Sequence, residues 1–236
     1  MTGRLAVVTG GAGGIGGAIC DSLVASGHHV VSFDRVASSL DGVENVIVDL
    51  ASTAELSDAA GELSGRLGTV SVLVHAAADL TQFDLKHFDL DRWRGVQAVN
   101  VEALLLLANT FVPGMAASGF GRIVSIVSDT VYRPPGPQFL PYVASKSALI
   151  GITRTLALDL GASGISVTAV APGLTPTPAA AAGVADAAFD ATVARQALPR
   201  RLDPTDVAAA VSFLVSDAAS AMTGQTLCVN GGLSFP

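Results

Sequence analysis

Apolar residues in this chain follow two rhythms. Short unbroken runs such as Leu5-Ala6-Val7-Val8 sit between polar or glycine-rich turns, the pattern of strands covered on both faces. Between these runs, apolar residues recur three and four positions apart, as in Ile15, Ile19, Leu23 and Val24, or Leu56, Ala60, Leu63 and Leu67. The pattern predicts strands over 5–8, 28–34, 45–49, 70–74, 121–127, 165–170 and 225–229. A long helical stretch is expected from about Leu90 to Ala117, another from Pro141 to Leu160, and one opening at Asp203-Pro204. Ser52 with Glu55 reads as a capping box for the helix after the third strand. This alternation predicts an α/β fold with a doubly wound parallel sheet of about seven strands. No linker or repeat divides it, so residues 1–236 are expected to form a single domain. Residues 174–201 are rich in Ala and poor in apolar anchors. Lying after a strand's C-terminal end, they are expected to form a substrate lid.

Composition narrows the function classes. The chain has 236 residues, is half hydrophobic, and carries only 14% charged residues. Its net charge of −7 excludes the basic stripe that nucleic acid demands, and it disfavours an acidic protein partner. Cys20 and Cys228 lie far apart with no Cys or His at ligand spacing, so both read as buried thiols, with no disulfide and no metal site. Arg4 is followed at once by the first strand, which does not resemble a signal peptide. No uninterrupted apolar run reaches ~18 residues. A soluble cytoplasmic protein with no membrane partner is expected.

Chemistry concentrates first at Thr9-Gly10-Gly11-Ala12-Gly13-Gly14-Ile15-Gly16. The glycines fall between a strand and a helix, where a tight turn and a free helix N-terminus suit an anionic pyrophosphate. Asp34 ends the second strand 18 positions after Gly16, near the spacing of the acid that binds an adenosine ribose. A carboxylate there accepts from a diol and repels a 2′-phosphate, and no Lys or Arg lies in the glycine turn. NAD is therefore expected over NADP, although Arg35 follows directly. Asp49 is placed to touch the adenine edge or to start a loop, and the small residues at Ala76-Ala77-Ala78 let the chain pass close to a flat ligand.

Tyr142 and Lys146 are four apart on one predicted helix and share a face. A free phenol titrates near ~10, and a neighbouring ammonium should lower that value. Tyr142 is thus a candidate proton donor to a carbonyl, with Ser128 orienting the substrate oxygen. Asn100 sits within the long helix, where an Asn needs a task for its side chain.

Together these motifs resemble the classical short-chain dehydrogenase/reductase family, from Val7 to Gly232. Thr9-Gly10, Gly14 and Gly16 fit its glycine turn. Asn100, Ser128, Tyr142 and Lys146 fall on its catalytic tetrad. Pro172-Gly173 with Thr177 resembles the segment that holds the nicotinamide carboxamide. The resemblance implies a Rossmann-type, NAD(P)-binding oxidoreductase. Ile15, Arg35, Leu50, Ala76, Ala77 and Thr175 are counted with its coenzyme site. It implies hydride exchange at the nicotinamide, Tyr142 as general acid/base, Lys146 on the nicotinamide ribose, and Asn100 holding a water in a proton relay. It also implies a homotetramer, or a dimer, built on the two long helices and the last strand. Two departures stand out. His75 replaces an Asn that braces the central strands, and Ala77-Ala78 replaces a glycine-containing turn. The substrate pocket is expected to draw on Asp79, Ser128, Asp129, Gln138, Phe139 and Tyr142, with Val131 and Phe139 as an apolar wall suited to a cyclic or aromatic secondary alcohol. The function implied is interconversion of a secondary alcohol and a ketone with NAD(H). The alternatives are a 3-oxoacyl-carrier-protein reductase using NADPH, or a catalytically silent cofactor-binding protein.

Overall fold

The computed structural model describes residues 3–235. Seven strands make one sheet: β1 (Leu5–Thr9), β2 (His29–Asp34), β3 (Val43–Ile47), β4 (Val72–His75), β5 (Gly121–Ile126), β6 (Ile165–Pro172) and β7 (Thr226–Val229). They lie in the order β3-β2-β1-β4-β5-β6-β7, and every pair is parallel. Growth of the sheet reverses between β1 and β4, so the C-terminal ends of these strands open a crevice at the switch point.

The helices cover both faces. α1 (Gly14–Ala25) follows β1 and α2 (Thr53–Leu67) follows β3. Between β4 and β5 runs one rod, made of α3 (Leu90–Gln97), a π-helical turn (Ala98–Glu102) and α4 (Ala103–Ser118). α5 (Leu140–Leu160) links β5 to β6, and α6 (Pro178–Ala181), α7 (Asp186–Val193) and α8 (Pro204–Val215) lie between β6 and β7. Side-chain alternation along each strand sorts the core into two layers. Val7, Val31, Phe33, Leu73, Ile123 and Val167 face α2, α4 and α5. Ala6, Val8, Val30, Val72, Val74 and Val170 face α1 and α8. This is why the strands read as continuous apolar runs. The rod Leu90–Ser118, 29 residues with a mean hydropathy of 1.4, is long and apolar enough to cross a membrane. Here its apolar face, with Leu104, Leu107, Phe111 and Met115, packs into the core.

Three local expectations are corrected. The third strand starts at Val43, because the register Val30↔Val43 to Asp34↔Ile47 places it beside β2. Ser52 begins α2 but makes no capping hydrogen bond. The capping box forms instead at α8, where Asp203 and Asp206 cap reciprocally. Cys228 is half-buried rather than buried, while Cys20 is buried; both thiols are free.

Candidate active site

β1 delivers the glycine turn to the crevice. Gly10 has φ +72°, a conformation L side chains rarely adopt, and a Cβ there would press on the Ala77 backbone at 2.8 Å. A Cβ on Gly16 would run into the Gly10 carbonyl. The bend therefore stays bare. No side chain caps the start of α1, which leaves its leading N–H groups for a ligand. Asp34, at the tip of β2, accepts from the N–H of Ala12 (3.1 Å) and of Val36 (3.3 Å), fixing its carboxylate beside the turn. Arg35 next to it is exposed. A crevice of about 480 Å³ runs past Gly11, Gly13, Gly14, Val36 and Leu40. A bare glycine bend, an uncapped helix N-terminus and a carboxylate at the next strand's end fit a dinucleotide. A second cleft of about 500 Å³ lies at the sheet edge between β3 and α2, lined by Glu44, Glu55, Glu62 and Arg66, away from this chemistry.

The segment after β6 closes over the turn. Gly173 donates its N–H to the Val229 carbonyl (2.9 Å), and Thr175 is buried with its hydroxyl on the Gly173 carbonyl. A Cβ on Gly14 would meet Thr177 Cβ at 2.8 Å, so Thr177 lies on the glycine turn. Pro172 ends β6 fully covered. The other end of this segment is tied to the end of β7, where Leu198 N–H donates to the Gly231 carbonyl at 2.8 Å.

His75, at the end of β4, is buried and anchors the crevice floor. The Thr9 hydroxyl accepts from Ala76 N–H and Ala77 N–H (3.2 Å each), so its own proton goes to His75 Nδ1 (2.9 Å). Nε2 must then carry the ring proton, and it donates to the Asn100 carbonyl at 3.1 Å. Burial pushes the His75 pKa down to about 3, and the Lys146 charge adds to this. The ring is neutral and ties β1, β4 and the rod together.

Asn100 sits inside the π-helical turn, fully buried. Its Oδ1 accepts from Asp79 N–H (2.6 Å), and its Nδ2 donates to the Asp79 carbonyl (3.1 Å) and to Ser145 Oγ (3.0 Å). The side chain is thus spent on the loop after β4 and on α5.

α5 presents Tyr142 and Lys146 on one face, with the Lys146 ammonium 5.6 Å from the centre of the Tyr142 ring. Lys146 Nζ donates to the Ile126 carbonyl at the end of β5 (2.8 Å), and burial pushes its pKa down to about 7. Burial pushes Tyr142 up to about 12; the facing Ser128 hydroxyl works the other way, and the Asp129 charge adds to the rise. The expected lowering of Tyr142 by Lys146 is not seen: desolvation is the largest effect on the phenol, and Lys146 is not among the groups that act on it. Ser128 is buried and accepts from Thr130 through N–H (3.2 Å) and hydroxyl (2.9 Å).

The structure thus gathers Asn100, Ser128, Tyr142 and Lys146 at the ends of β4 and β5. Other predicted residues are placed differently. The Asp49 carboxylate accepts from Ala51 N–H (3.0 Å) in its own turn. Leu50 turns its side chain into the core, and Ile15, in the first turn of α1, packs against the second core layer. Asp79 accepts from Thr81 N–H (2.8 Å). Gln138 is exposed and gives its carbonyl to Phe83 N–H, while Phe139 is half-buried before α5. Val131 packs toward the core, so only Phe139 is left for the expected apolar wall. Ser145, Asn230 and Arg195 carry no signal in the sequence; Thr9 opens the glycine motif, but its bond to His75 shows only in the fold.

Comparison with known proteins agrees with this geometry. The family profile described as Enoyl-(Acyl carrier protein) reductase matches residues 10–234. Galactitol 2-dehydrogenase (L-tagatose-forming) of Cereibacter sphaeroides is 33% identical, over 98% of this chain and 95% of that protein. A 3-oxoacyl-[acyl-carrier-protein] reductase of Rickettsia felis is 34% identical, over 99% of this chain and 98% of its own. A solved structure from Beutenbergia cavernae, assigned as an NAD(P) dependent gluconate 5-dehydrogenase with bound NADP, superposes with a TM-score of 0.91 at 36% identity, covering 99% of this chain and 97% of that one. The chain belongs to the classical short-chain dehydrogenase/reductase family. It is a Rossmann-fold oxidoreductase of the NAD(P)-binding type.

Proposed function

We propose that the protein interconverts a secondary alcohol and its ketone with NAD(H), Tyr142 acting as general acid/base. The placement of Ser128, Tyr142 and Lys146 beside the bare glycine turn carries this reading. A bound nicotinamide supplies or accepts the hydride. The Tyr142 phenol gives its proton to the nascent alkoxide and takes it back in the reverse direction. Ser128 holds the same oxygen. Lys146, beside the Tyr142 ring and held by the Ile126 carbonyl, would bind the ribose of the nicotinamide. Asn100 holds Asp79 and Ser145 in place beside this pair and would hold the water of the proton relay.

Asp34 supports NAD over NADP, since a carboxylate beside the glycine turn accepts from a ribose diol and repels a 2′-phosphate. The relative from Rickettsia favours a second reading, reduction of a 3-oxoacyl carrier with NADPH. Leu105 on α4 and Leu158 on α5 are exposed apolar residues that suit a homotetramer, in a cytoplasmic protein. Residues 174–201 act as the lid. Initial rates across a carbonyl and alcohol panel, with NADH and NADPH in parallel, test these assignments. NADH preference and turnover of secondary alcohols are expected; strong NADPH preference overturns the coenzyme choice. Tyr142→Phe is expected to lower kcat by ~10³-fold with NADH binding retained. Retained turnover would remove Tyr142 from its role.

A further inference from the structure

β3 is an edge of the sheet and pairs with β2 alone. Val48, just past it, donates its N–H to the Asp34 carbonyl at 2.9 Å, which sets the alternation of the strand. The peptide groups of Glu44 and Val46 turn toward β2 with it, and those of Val43, Asn45 and Ile47 turn outward. The outward N–H and C=O groups of these three residues meet no partner among the described residues. Such a row is a template for another strand. The cleft of about 500 Å³ follows this edge, with every residue from Glu44 to Val48 on its wall.

The opposite wall is α2. Glu55, Asp58, Glu62 and Arg66 recur at intervals of three and four, so they form one exposed stripe facing the cleft. Arg66 is neutralised by Glu44, which also meets His29 at 3.2 Å. Glu55, Asp58 and Glu62 form no ion pair among the described residues. Taken alone these carboxylates are a solvated helix face; beside three open peptide groups they are one side of a groove. The two sides match in length. Five strand residues span about 16 Å at ~3.3 Å each, and the stripe from Glu55 to Arg66 rises about 16 Å at ~1.5 Å per residue. A strand laid on β3 turns every second side chain toward α2, spaced ~6.6 Å, close to the ~6 Å rise from Asp58 to Glu62. Cationic side chains two residues apart therefore meet both carboxylates. A second copy of this chain does not suit the groove. Two β3 edges paired about a two-fold axis would bring two acidic stripes together, in a chain of net charge −7.

We propose that the β3 edge and the acidic stripe of α2 form a docking groove for an extended, Lys- or Arg-bearing segment of a partner protein, added to the sheet as an eighth strand. Main-chain bonds to Val43, Asn45 and Ile47 supply the register, and the carboxylates select the charge. The groove lies away from Tyr142 and Lys146, so this inference stands apart from the alcohol–ketone reading.

The probe is the capped, fluorescently labelled pentapeptide Lys-Val-Lys-Val-Lys, titrated with the full chain and followed by anisotropy. A Kd of ~10–100 µM is expected at low salt, with the Glu-Val-Glu-Val-Glu peptide at least ~10-fold weaker. Two further peptides, N-methylated on the lysines or on the valines, separate strand addition from plain charge attraction. One of them is expected to lose binding, because only one set of amides faces β3. Ile47→Pro removes an outward N–H and leaves the β2 ladder intact; Asp58→Lys with Glu62→Lys reverses the charge of the helix wall. Each is expected to weaken the lysine peptide at least ~10-fold, with NADH binding and melting temperature close to native. Should Ile47→Pro fail to fold, the double charge reversal and the N-methylated peptides still decide the matter. No saturable binding of the lysine peptide, equal binding of the glutamate peptide, full binding of both N-methylated peptides, or full binding by the charge-reversed variant overturns the proposal. A native dimer in sedimentation velocity that Ile47→Pro dissociates gives the edge to a second copy and overturns it as well.

Discussion

His75 and Asp129 are both buried ionisable groups at the C-terminal ends of neighbouring strands, β4 and β5, yet they are handled in opposite ways. Every polar atom of the His75 ring is paired: Thr9 on one nitrogen, the Asn100 carbonyl on the other. The fold has also chosen its charge state, by burial that holds it neutral. Asp129 keeps one carboxylate oxygen sealed and unpaired, with burial pushing its pKa up to about 6. A satisfied buried network rigidifies the frame, whereas a buried carboxyl short of donors is held toward its neutral form. The difference separates a buried group that braces the site from one that burdens it.

Four changes would break or sharpen this contrast. His75→Ala should have the largest effect on stability, because it leaves the buried Thr9 hydroxyl proton without its acceptor and the Asn100 carbonyl without the ring donor. A loss of ~3–5 kcal/mol is expected, seen as a melting temperature lower by ~8–15 °C. A drop of under ~3 °C would contradict the bracing role.

The pH dependence of His75 comes next. Its folded pKa of about 3 lies below the ordinary 6.5, so the unfolded chain binds the extra proton between those values. Its contribution to stability is full above pH 6.5 and is lost as the pH falls toward 3. Urea midpoints measured from pH 7 to pH 4 should therefore fall less steeply in His75→Asn than in the native protein.

Asp129→Asn should act in the opposite direction. The raised carboxyl pKa penalises the folded state once the group ionises, a cost absent below about pH 4 and complete above about pH 6. The variant should gain ~1–3 kcal/mol at pH 8 and almost nothing at pH 4. Differential scanning calorimetry at the two pH values reads this directly. A destabilised variant at pH 8 would mean that the carboxylate is paired after all.

Ser145→Ala should have the smallest effect. It removes one acceptor from Asn100 Nδ2, whose other hydrogen bond to Asp79 remains. About 1 kcal/mol is expected, measured by the same denaturation.

Much of this molecule is legible in local spacing. Strands sealed on both faces show as unbroken apolar runs, and helices between them show their stripe every three or four residues. The glycine turn advertises itself because Gly10 and Gly16 occupy positions where a Cβ has no room. Tyr142 and Lys146 show by their four-residue interval, which places them on one face of α5.

The orphaned oxygen of Asp129 has no such signature. Neither does the approach of Arg195 to it, the contact of Thr177 with Gly14, nor the proton placement on His75. The expected lowering of the Tyr142 pKa failed for the same reason. Spacing reveals a neighbour in the chain but not how much water the fold removes around it. What the amino-acid sequence alone determined was the alternation of elements, the coenzyme turn and the Tyr–Lys pair, since each depends on residues within a turn or two of one another. Only the tertiary structure decided which buried polar groups are paired and which are not, because donors and acceptors from distant strands and loops must meet before that account can be drawn.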